Sequence, residues 1–326
     1  MTTDRTDWLA SRRKGLGGSD IAAILGLSPW RSAVDVWLDK TSTEPPVDAP
    51  SEPMYWGTVL EDVVSGEYQK RTGRRVQRVT QQLRHPQLGW ALGNIDRAVT
   101  TASTRARVVT GTLRGAEGIL ECKTASAYSL GEWEGSDGGD AVPVHYAAQV
   151  LWYIGIAQVQ WADIAVLVGG QRYLVRRVER NDETLRAMFA AADEFWHRHV
   201  LTGVAPEPKS ARDVVTLFPR DDGEYLDASQ NGEVLGLLNA LRAARIDAKA
   251  RVGLVDDIEE QLKLRIGARA GITFDGKPVV TWKAARDSLV TDWEAVATAL
   301  LAPEELVLQH TTTRAGSRRF TVKEQK

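Results

Sequence analysis

Three observations predict an α/β domain followed by a mainly helical extension. Over about the first two hundred residues, segments with helical apolar spacing alternate with short apolar runs typical of strands. About the last hundred residues change to a long pattern rich in Ala, Leu, Arg and Glu. We therefore predict a domain over residues 1–205, a linker over 206–228, and a helical extension with a short hairpin over 229–326.

The first element follows a glycine-rich turn. Ser19 or Asp20 is expected to cap a helix over Ile21–Leu27, and Arg12 lies a few residues before it. Amide groups, a hydroxyl and a guanidinium at a helix start favour an anion, although an ordinary capped helix has the same pattern. A dinucleotide-binding turn is disfavoured, because Trp8–Lys14 lacks the apolar pattern of the strand that should precede it.

The next two predicted elements are helices. A short helix is predicted over Ala33–Lys40, and a longer one over Gly57–Arg71 is expected to end at Gly73, a residue type suited to a left-handed C-cap. Helical spacing gives the longer element an apolar side and an acidic side. The expected inward residues are Val59, Leu60, Val63 and Val64, and the outward ones are Glu61, Asp62 and Glu67.

Four strands are predicted next, over Val76–Arg84, Trp90–Asp96, Val108–Leu113 and Ile119–Thr124. Asp96 ends the second of these runs. Alternation along the last strand places Glu121 and Lys123 on the same side of the sheet, while Cys122 points into the core. A carboxylate and an ammonium are thus directed at one place.

Carboxylates from two strands, together with a lysine, suit a hard divalent cation and a hydrolytic water. A Glu-x-Lys pattern is weak by itself, because a solvated strand end with an incidental ion pair has the same sequence. Cys122 is the single cysteine, which excludes an internal disulfide and any zinc or iron–sulfur site built from several cysteines. Other residues must therefore converge on this strand before a metal site is inferred.

A Gly- and Asp-rich stretch over Tyr128–Val142 predicts a mobile loop, and Pro143 is expected to open the helix that follows. Tyr146, Gln149 and Tyr153 fall on one face of that helix. This polar stripe contacts either a phosphodiester or a neighbouring packed element, and the sequence leaves both interpretations open. The residues expected to serve the core are Val150, Leu151 and Ile154.

The domain is predicted to end with a hairpin and an amphipathic helix. The hairpin pairs Trp161–Val168 with Arg172–Glu179, and Asn181 caps a helix that extends to Leu201. The extension is expected to begin with a helical pattern that is either continuous or broken near Gly253. Its predicted elements are the helical pattern over Glu233–Arg269, a hairpin over Gly271–Lys283, a helix over Asp292–Leu301 and a basic tail.

The charges of the chain are nearly balanced, with 41 Lys and Arg against 43 Asp and Glu and a formal net charge of −2. Binding to a nucleic acid would therefore depend on a local groove and not on the field of the whole protein. No stretch has the pattern of a signal peptide or the length of a membrane span, so we expect a cytoplasmic protein without a membrane partner.

Six motifs follow one another over about the first two hundred residues. They are Trp8-x-x-x-Arg12 with Gly17-Gly18-Ser19-Asp20; Leu27-Ser28-Pro29-Trp30; Gly57-Thr58-Val59-Leu60-Glu61; Gly93-Asn94-Ile95-Asp96; Leu120-Glu121-Cys122-Lys123-Thr124; and Pro143-x-x-Tyr146-x-x-Gln149. With these motifs in this order, the chain resembles the YqaJ-like viral recombinase family of phage-type alkaline exonucleases. That group includes lambda exonuclease and lies within the P-D-(D/E)-x-K nuclease superfamily. The resemblance implies a restriction-endonuclease-like core, in which helices flank a central mixed sheet.

The resemblance also assigns catalytic roles. Glu61, Asp96 and Glu121 would surround divalent ions, with Mg²⁺ expected and Mn²⁺ as the alternative, and Lys123 would activate the attacking water. Asp62 adjoins Glu61, and the phase of the helix decides which of the two faces the metal.

Further residues are assigned to the DNA. Arg12 and Ser19 would bind a 5′-phosphate, although the neighbouring Arg13 is an alternative to Arg12. Tyr146 and Gln149 match the helix pair that lines the scissile strand in the family.

The implied function is a Mg²⁺-dependent 5′→3′ exonuclease that acts on double-stranded DNA ends during phage recombination. It would leave a 3′ single strand for an annealing protein, and ring-shaped relatives imply a homo-oligomer. An endonuclease of the same fold is one alternative, and a non-catalytic DNA-binding scaffold is another. A small-molecule nucleotide-binding enzyme ranks lower, because the glycine turn lacks its strand.

Overall fold

The computed structural model describes residues 11–43, 51–135 and 139–285, with isolated positions beyond 285. The chain divides into two compact units, Met1–Pro219 and Arg220–Lys326. Three predicted features lie outside the described residues: Trp8, most of the helix over Asp292–Leu301, and the basic tail. Each unit is described separately below.

Strands and helices share the first unit. Its helices are α1 (Gly18–Ile24), α2 (Ala33–Thr41), α3 (Glu52–Thr72), α4 (Val144–Ala157), α5 (Asp182–Phe195) and α6 (Ala211–Leu217). Its strands are β1 (Arg75–Arg78), β2 (Leu83–Arg84), β3 (Leu92–Gly93), β4 (Arg97–Thr100), β5 (Arg107–Val109), β6 (Thr112–Arg114), β7 (Gly118–Ala125), β8 (Trp161–Val168) and β9 (Arg172–Glu179).

A five-stranded sheet in the order β1-β4-β7-β8-β9 forms the centre of this unit. The pairing of β7 with β8 is parallel, whereas the other pairings are antiparallel. One face of the sheet packs against α4 and α5, and the other packs against α3 through Val64 and Tyr68. The predicted mixed sheet flanked by helices is thus confirmed.

The register of β4 and β7 brings two separate sequence motifs together. Arg97 pairs with Leu120, so Asp96, which precedes β4, lies beside β7. The amide of Cys122 donates a hydrogen bond of 2.8 Å to Asp96 Oδ2. Asp96 therefore belongs to the turn that enters β4 and does not end an apolar strand, as the sequence had suggested.

Three of the predicted strands are shorter than expected or divided. The run over Val76–Arg84 separates into β1 and β2, and the run over Trp90–Asp96 contains only the short β3. The run over Val108–Leu113 is the hairpin β5–β6, because Thr110 and Gly111 adopt φ values of 47° and 81° and reverse the chain. Strand β7 covers and extends the predicted Ile119–Thr124.

The start of α1 differs from the expectation. Gly17 is the N-cap, and neither Ser19 nor Asp20 holds that position. Asp20 accepts a hydrogen bond of 2.9 Å from the Gly17 amide and is buried, because Lys40 Nζ lies 2.9 Å from its carboxylate. The helix ends at Ile24, before the predicted Leu27.

Helix α3 begins at Glu52, earlier than predicted, and Gly73 is its left-handed C-cap with φ of 70°, as predicted. Val64 is buried, but Val59 and Val63 are 46% and 59% exposed, so their expected inward orientation was wrong. The sheet covers only the side of the helix that carries Val64, and helical spacing alone does not show how wide the covered arc is.

The stretch between β7 and α4 is ordered around Trp133. It contains a 3₁₀ helix over Ala127–Glu132, and Trp133 is buried, which corrects the predicted mobile loop for these residues. The guanidinium of Arg176 donates a hydrogen bond of 2.9 Å to the Trp133 carbonyl. Pro143 directly precedes α4, and the predicted core residues of that helix are buried: Val150, Leu151 and Ile154.

The end of the first unit matches the predicted hairpin and helix. Strands β8 and β9 pair along their full length, and the Asn181 side chain caps α5 by accepting a 2.9 Å hydrogen bond from the Thr184 amide. A π-helical turn over Trp196–Val200 continues α5.

The second unit contains α7 (Gly232–Ile266), β10 (Gly271–Phe274) and β11 (Lys277–Thr281). Helix α7 passes through Gly253 without interruption, so the alternative with a break there was wrong. The predicted hairpin is present, with β10 and β11 joined at Asp275 and Gly276. Within the described part of the chain, no helix combines the length and apolarity needed to cross a bilayer.

Candidate active site

Four polar side chains meet at the end of β7. Lys123 Nζ donates a hydrogen bond of 2.7 Å to Glu121 Oε1, and Gln149 Nε2 on α4 donates one of 2.8 Å to the same oxygen. Asp96 is fixed beside them by the Cys122 amide. The register of the central sheet therefore brings Asp96, Glu121, Lys123 and Gln149 together, as the motifs predicted.

Burial and like charge make this cluster electrostatically unfavourable without a cation. Burial, followed by the negative charge of Glu121, raises the pKa of Asp96 to about 8, although Lys123 opposes the shift. Burial disfavours the ammonium of Lys123, but Glu121 and Asp96 outweigh it and raise the pKa of Lys123. Lys123 is therefore a hydrogen-bond donor at neutral pH and not a proton acceptor.

Arg97 was not anticipated from the sequence, yet it holds the acidic residues of α3. Its buried guanidinium contacts Glu61 Oε1, and its Nη2 lies 2.5 Å from Asp62 Oδ1. The Glu61 side chain is 19% exposed and that of Asp62 is 74% exposed. Glu61 is thus the inner carboxylate of the pair. A charged residue directly after Asp96, within an apolar strand, was the signal that could have identified Arg97.

The donor chemistry of the cluster fits a hard divalent cation. Asp96 and Glu121 supply carboxylate oxygens, and the raised pKa of Asp96 shows that their negative charge is incompletely compensated. Glu61 also raises that pKa and is therefore close enough to act on Asp96. Among the residues described, however, no three His, Cys, Asp or Glu side chains are grouped as a metal site. Arg97 engages Glu61 in this arrangement.

The predicted phosphate-binding pair is also formed. Arg12 Nη2 donates a hydrogen bond of 3.1 Å to Ser19 Oγ, and Ser19 is exposed. Arg13 instead donates its Nε–H to the Asp39 carbonyl at 2.8 Å. Arg12, and not its neighbour, therefore lies at the start of α1 with the serine hydroxyl.

A close helix contact connects this pair with the carboxylate cluster. A Cβ atom at Gly18 would lie 2.7 Å from the Tyr153 ring and 3.0 Å from the Gln149 side chain, so glycine allows α1 to approach α4. Tyr153 accepts a hydrogen bond of 3.3 Å from Gln149. The polar stripe of α4 is therefore part of the site and, at the same time, a packing surface for α1.

Aromatic residues border the cluster on the other side. The ring of Tyr146 lies 5.2 Å from Lys123 Nζ and stacks on Trp133 with centroids 5.5 Å apart. Burial raises the pKa of Tyr146, although Lys123 opposes this shift. Trp30 and His145 also contact Tyr146, and the sequence assigned no role to either of them.

A family model described as the YqaJ-like viral recombinase domain matches residues 7–160. A curated relative, the uncharacterized protein YqaJ of Bacillus subtilis (strain 168), is 41% identical over 204 residues. That alignment covers 62% of this chain and 58% of the relative, so the chain spans less than two thirds of the relative's length.

Two solved structures are similar to this chain. An alkaline exonuclease from Laribacter hongkongensis is 16% identical with a TM-score of 0.45, and the match covers 61% of this chain and 94% of that one. A phage-related exonuclease from Haemophilus somnus 129PT is 12% identical with a TM-score of 0.39, over 58% and 96% of the two chains. Both TM-scores are below 0.5, so no argument rests on these two likenesses.

The family match begins before Arg12 and ends after Gln149, so it includes every residue of the candidate site. The resemblance inferred from the six motifs is thereby confirmed: residues 7–160 of this chain belong to the YqaJ-like viral recombinase family.

Proposed function

We propose that this protein is a Mg²⁺-dependent 5′→3′ exonuclease that hydrolyses phosphodiester bonds from 5′-phosphorylated ends of double-stranded DNA. The observation that supports this most directly is the contact between α1 and α4 at Gly18. It joins a candidate phosphate-binding pair, Arg12 and Ser19, to a cluster of carboxylates and a lysine. A site for a chain end thus adjoins a site suited to hydrolysis.

The carboxylates Asp96, Glu121 and Glu61 are the residues that would hold Mg²⁺. A bound Mg²⁺ would supply Lewis acidity and a lowered pKa for an attacking water. Lys123, which is positively charged at neutral pH, donates a hydrogen bond to that water and opposes the negative charge that develops on the phosphate. Gln149 keeps Glu121 oriented through its hydrogen bond.

End selection follows from charge. A terminal phosphomonoester carries more negative charge and one fewer substituent than an internal phosphodiester, and so matches the guanidinium of Arg12 and the hydroxyl of Ser19 better. These contacts recognise phosphate and not base edges, so we expect cleavage with little sequence preference and with marked sensitivity to salt.

The family supports a role in recombination. A 5′→3′ exonuclease leaves a 3′ single strand, which is the substrate of a single-strand annealing protein, and we propose such a protein as the partner. We also propose a homo-oligomer in the bacterial cytoplasm, as the resemblance implied. A non-catalytic DNA-binding scaffold is favoured by one observation, the engagement of Glu61 by Arg97.

Release of nucleotides from linear duplex DNA in Mg²⁺ tests the proposal. The substrates are 5′-phosphorylated, 5′-hydroxyl and covalently closed circular DNA, and the variant is Lys123→Ala. Lys70→Ala is the matched control, because this lysine is 79% exposed on α3. We expect rapid loss of the 5′-phosphorylated strand by the wild type and by Lys70→Ala, and a loss of at least about a hundredfold in Lys123→Ala.

Each other outcome rejects part of the proposal. Nicking of the circle at a similar rate would indicate an endonuclease. DNA binding without hydrolysis that depends on Lys123 would indicate the scaffold. Addition of EDTA should abolish hydrolysis, and continued activity in EDTA would reject the role of Mg²⁺.

A further inference from the structure

Trp30 has a fixed backbone and an exposed ring. The amides of Trp30 and Arg31 both donate to Ser28 Oγ, at 3.3 and 3.2 Å, and Arg212 Nη1 donates to the Trp30 carbonyl at 3.0 Å. Trp30 is nevertheless 59% exposed. An indole held in this way offers a large flat surface, and little conformational entropy is lost when a ligand stacks on it.

Ring contacts join Trp30 to the candidate active site. The Trp30 ring lies 4.7 Å from His145 and 6.2 Å from Tyr146, measured between centroids. Tyr146 in turn lies over Lys123 Nζ. A single aromatic ring therefore separates Trp30 from the ammonium at the proposed site of hydrolysis.

His145 has an unused polar atom beside Trp30. The residue is 8% exposed, and its Nε2 has no hydrogen-bond partner in the part of the chain that the structure describes. Burial of an imidazole nitrogen without a partner is unfavourable, so a ligand that offers a polar atom at this position would bind more favourably. The edge of a nucleobase carries such atoms.

The space beside Trp30 has a suitable size and charge. A cleft of about 410 Å³ is lined by Trp30 together with Arg31, Lys209 and Arg212, and this volume lies in the range of small-ligand sites. Asp20 and Asp35 partly neutralise two of these cations, Arg31 and Arg212. The cleft therefore suits a base and an adjacent phosphate better than a long anionic strand.

We propose that Trp30 and His145 form a nucleobase subsite, in which one unpaired base of the strand under hydrolysis stacks on the indole and its polar edge meets His145 Nε2. This inference rests on the proposed nuclease function, since it takes the strand at Lys123 as its ligand. Combining an aromatic surface with nearby positive charge is the general means by which proteins bind single strands without sequence preference.

Binding in EDTA tests the subsite without hydrolysis. The probes are 5′-phosphorylated duplexes with a short unpaired 5′ extension that carries 2-aminopurine at one position, and matched duplexes with an abasic residue at that position. The variants are Trp30→Ala, Trp30→Phe and His145→Phe. Trp282→Ala is the control, because Trp282 is 51% exposed and lies in the second unit.

We expect wild type to quench 2-aminopurine at one position of the extension. Trp30→Ala should bind that probe about 5- to 150-fold more weakly, the range expected for one stacked base, and Trp30→Phe should retain most of the affinity. His145→Phe, which keeps a ring but lacks Nε2, should weaken the 2-aminopurine probe and not the abasic one. Wild type and Trp30→Ala should bind the abasic probe equally, and Trp282→Ala should match wild type throughout.

Equal affinity of wild type and Trp30→Ala for every probe would overturn the subsite. So would an equal loss for the base-containing and abasic probes, since that pattern indicates a general effect on the fold. Failure of the nuclease proposal is distinguishable: base-dependent binding with no Mg²⁺-dependent hydrolysis would support the subsite and reject the nuclease, and base-independent hydrolysis would do the reverse.

Discussion

Arg97 determines the position of Glu61 in this structure. Its guanidinium is 3% exposed and lies between Glu61 and Asp62. A cation that recruits Glu61 must therefore compete with a buried arginine. Removing one partner of a buried ion pair is costly, so the arrangement of Glu61 is expected to differ between the metal-free and metal-bound states.

The raised pKa of Asp96 makes the metal-free protein sensitive to pH. The folded-state pKa is about 8, whereas an aspartate in an unfolded chain titrates near pH 4. Between these values the folded state holds a proton that the unfolded state has released, so the associated stability is complete below about pH 4 and is lost as pH rises through about 8. We expect the urea midpoint in EDTA to fall over this window.

Asp96→Asn should remove this part of the pH dependence, because the amide does not titrate. Asp182→Asn is the control, since the Asp182 side chain is 70% exposed, and it should follow wild type at every pH. Urea titrations of the three proteins in EDTA measure the effect. An Asp96→Asn curve parallel to wild type across the window would contradict the assignment.

At the scale of elements, the approach of α1 to α4 depends on Gly18. A methyl group at this position would meet the Tyr153 ring at 2.7 Å. We expect Gly18→Ala to lower the free energy of unfolding by about 1–3 kcal/mol, as overpacking in a core does. Because α1 carries Ser19, the variant should also lose preference for 5′-phosphorylated over 5′-hydroxyl ends while it still hydrolyses DNA.

Gly66→Ala is the matched control, because a Cβ atom there meets no atom within 4 Å and Gly66 lies inside α3. Replacing a glycine within a helix should raise stability by up to about 1 kcal/mol and leave end preference unchanged. Denaturant unfolding and rates on the two kinds of end measure both effects. Wild-type stability and end preference in Gly18→Ala would show that the contact has no such role.

The elements differ in how well sequence predicts them. The apolar runs of β7, β8 and β9 and the cap at Gly73 depend on local alternation and turn chemistry, and they were predicted. The exposure of Val59 and Val63 depends on how much of α3 the sheet covers, which periodicity does not report.

The candidate site shows the same distinction. Glu121 and Lys123 share a strand face, so alternation brought them together in the prediction. The pairing of Arg97 with Glu61 joins residues 36 positions apart, and it arises from the packing of α3 on the sheet. Such a contact has no local sequence signal.

At the scale of the whole molecule, the proposed catalytic apparatus lies within one unit. Both apolar core clusters and all site residues belong to Met1–Pro219. We expect a chain truncated after Pro219 to unfold cooperatively and to keep DNA hydrolysis that depends on Lys123, within a few-fold of the full chain. Thermal unfolding and the nucleotide-release assay measure this, with the truncated Lys123→Ala variant as control. A folded truncated chain without hydrolysis would show that the second unit contributes to the reaction.

The parallel pairing of β7 with β8 also has a consequence for biosynthesis. Antiparallel neighbours can pair as soon as a short turn has formed, but β8 can join β7 only after the 3₁₀ helix, Trp133 and α4 have been made. Gln149, which orients Glu121, lies within the same crossover. A nascent chain on the ribosome therefore carries both carboxylate strands well before they are joined to the rest of the sheet, and hydrolytic competence is acquired late in translation.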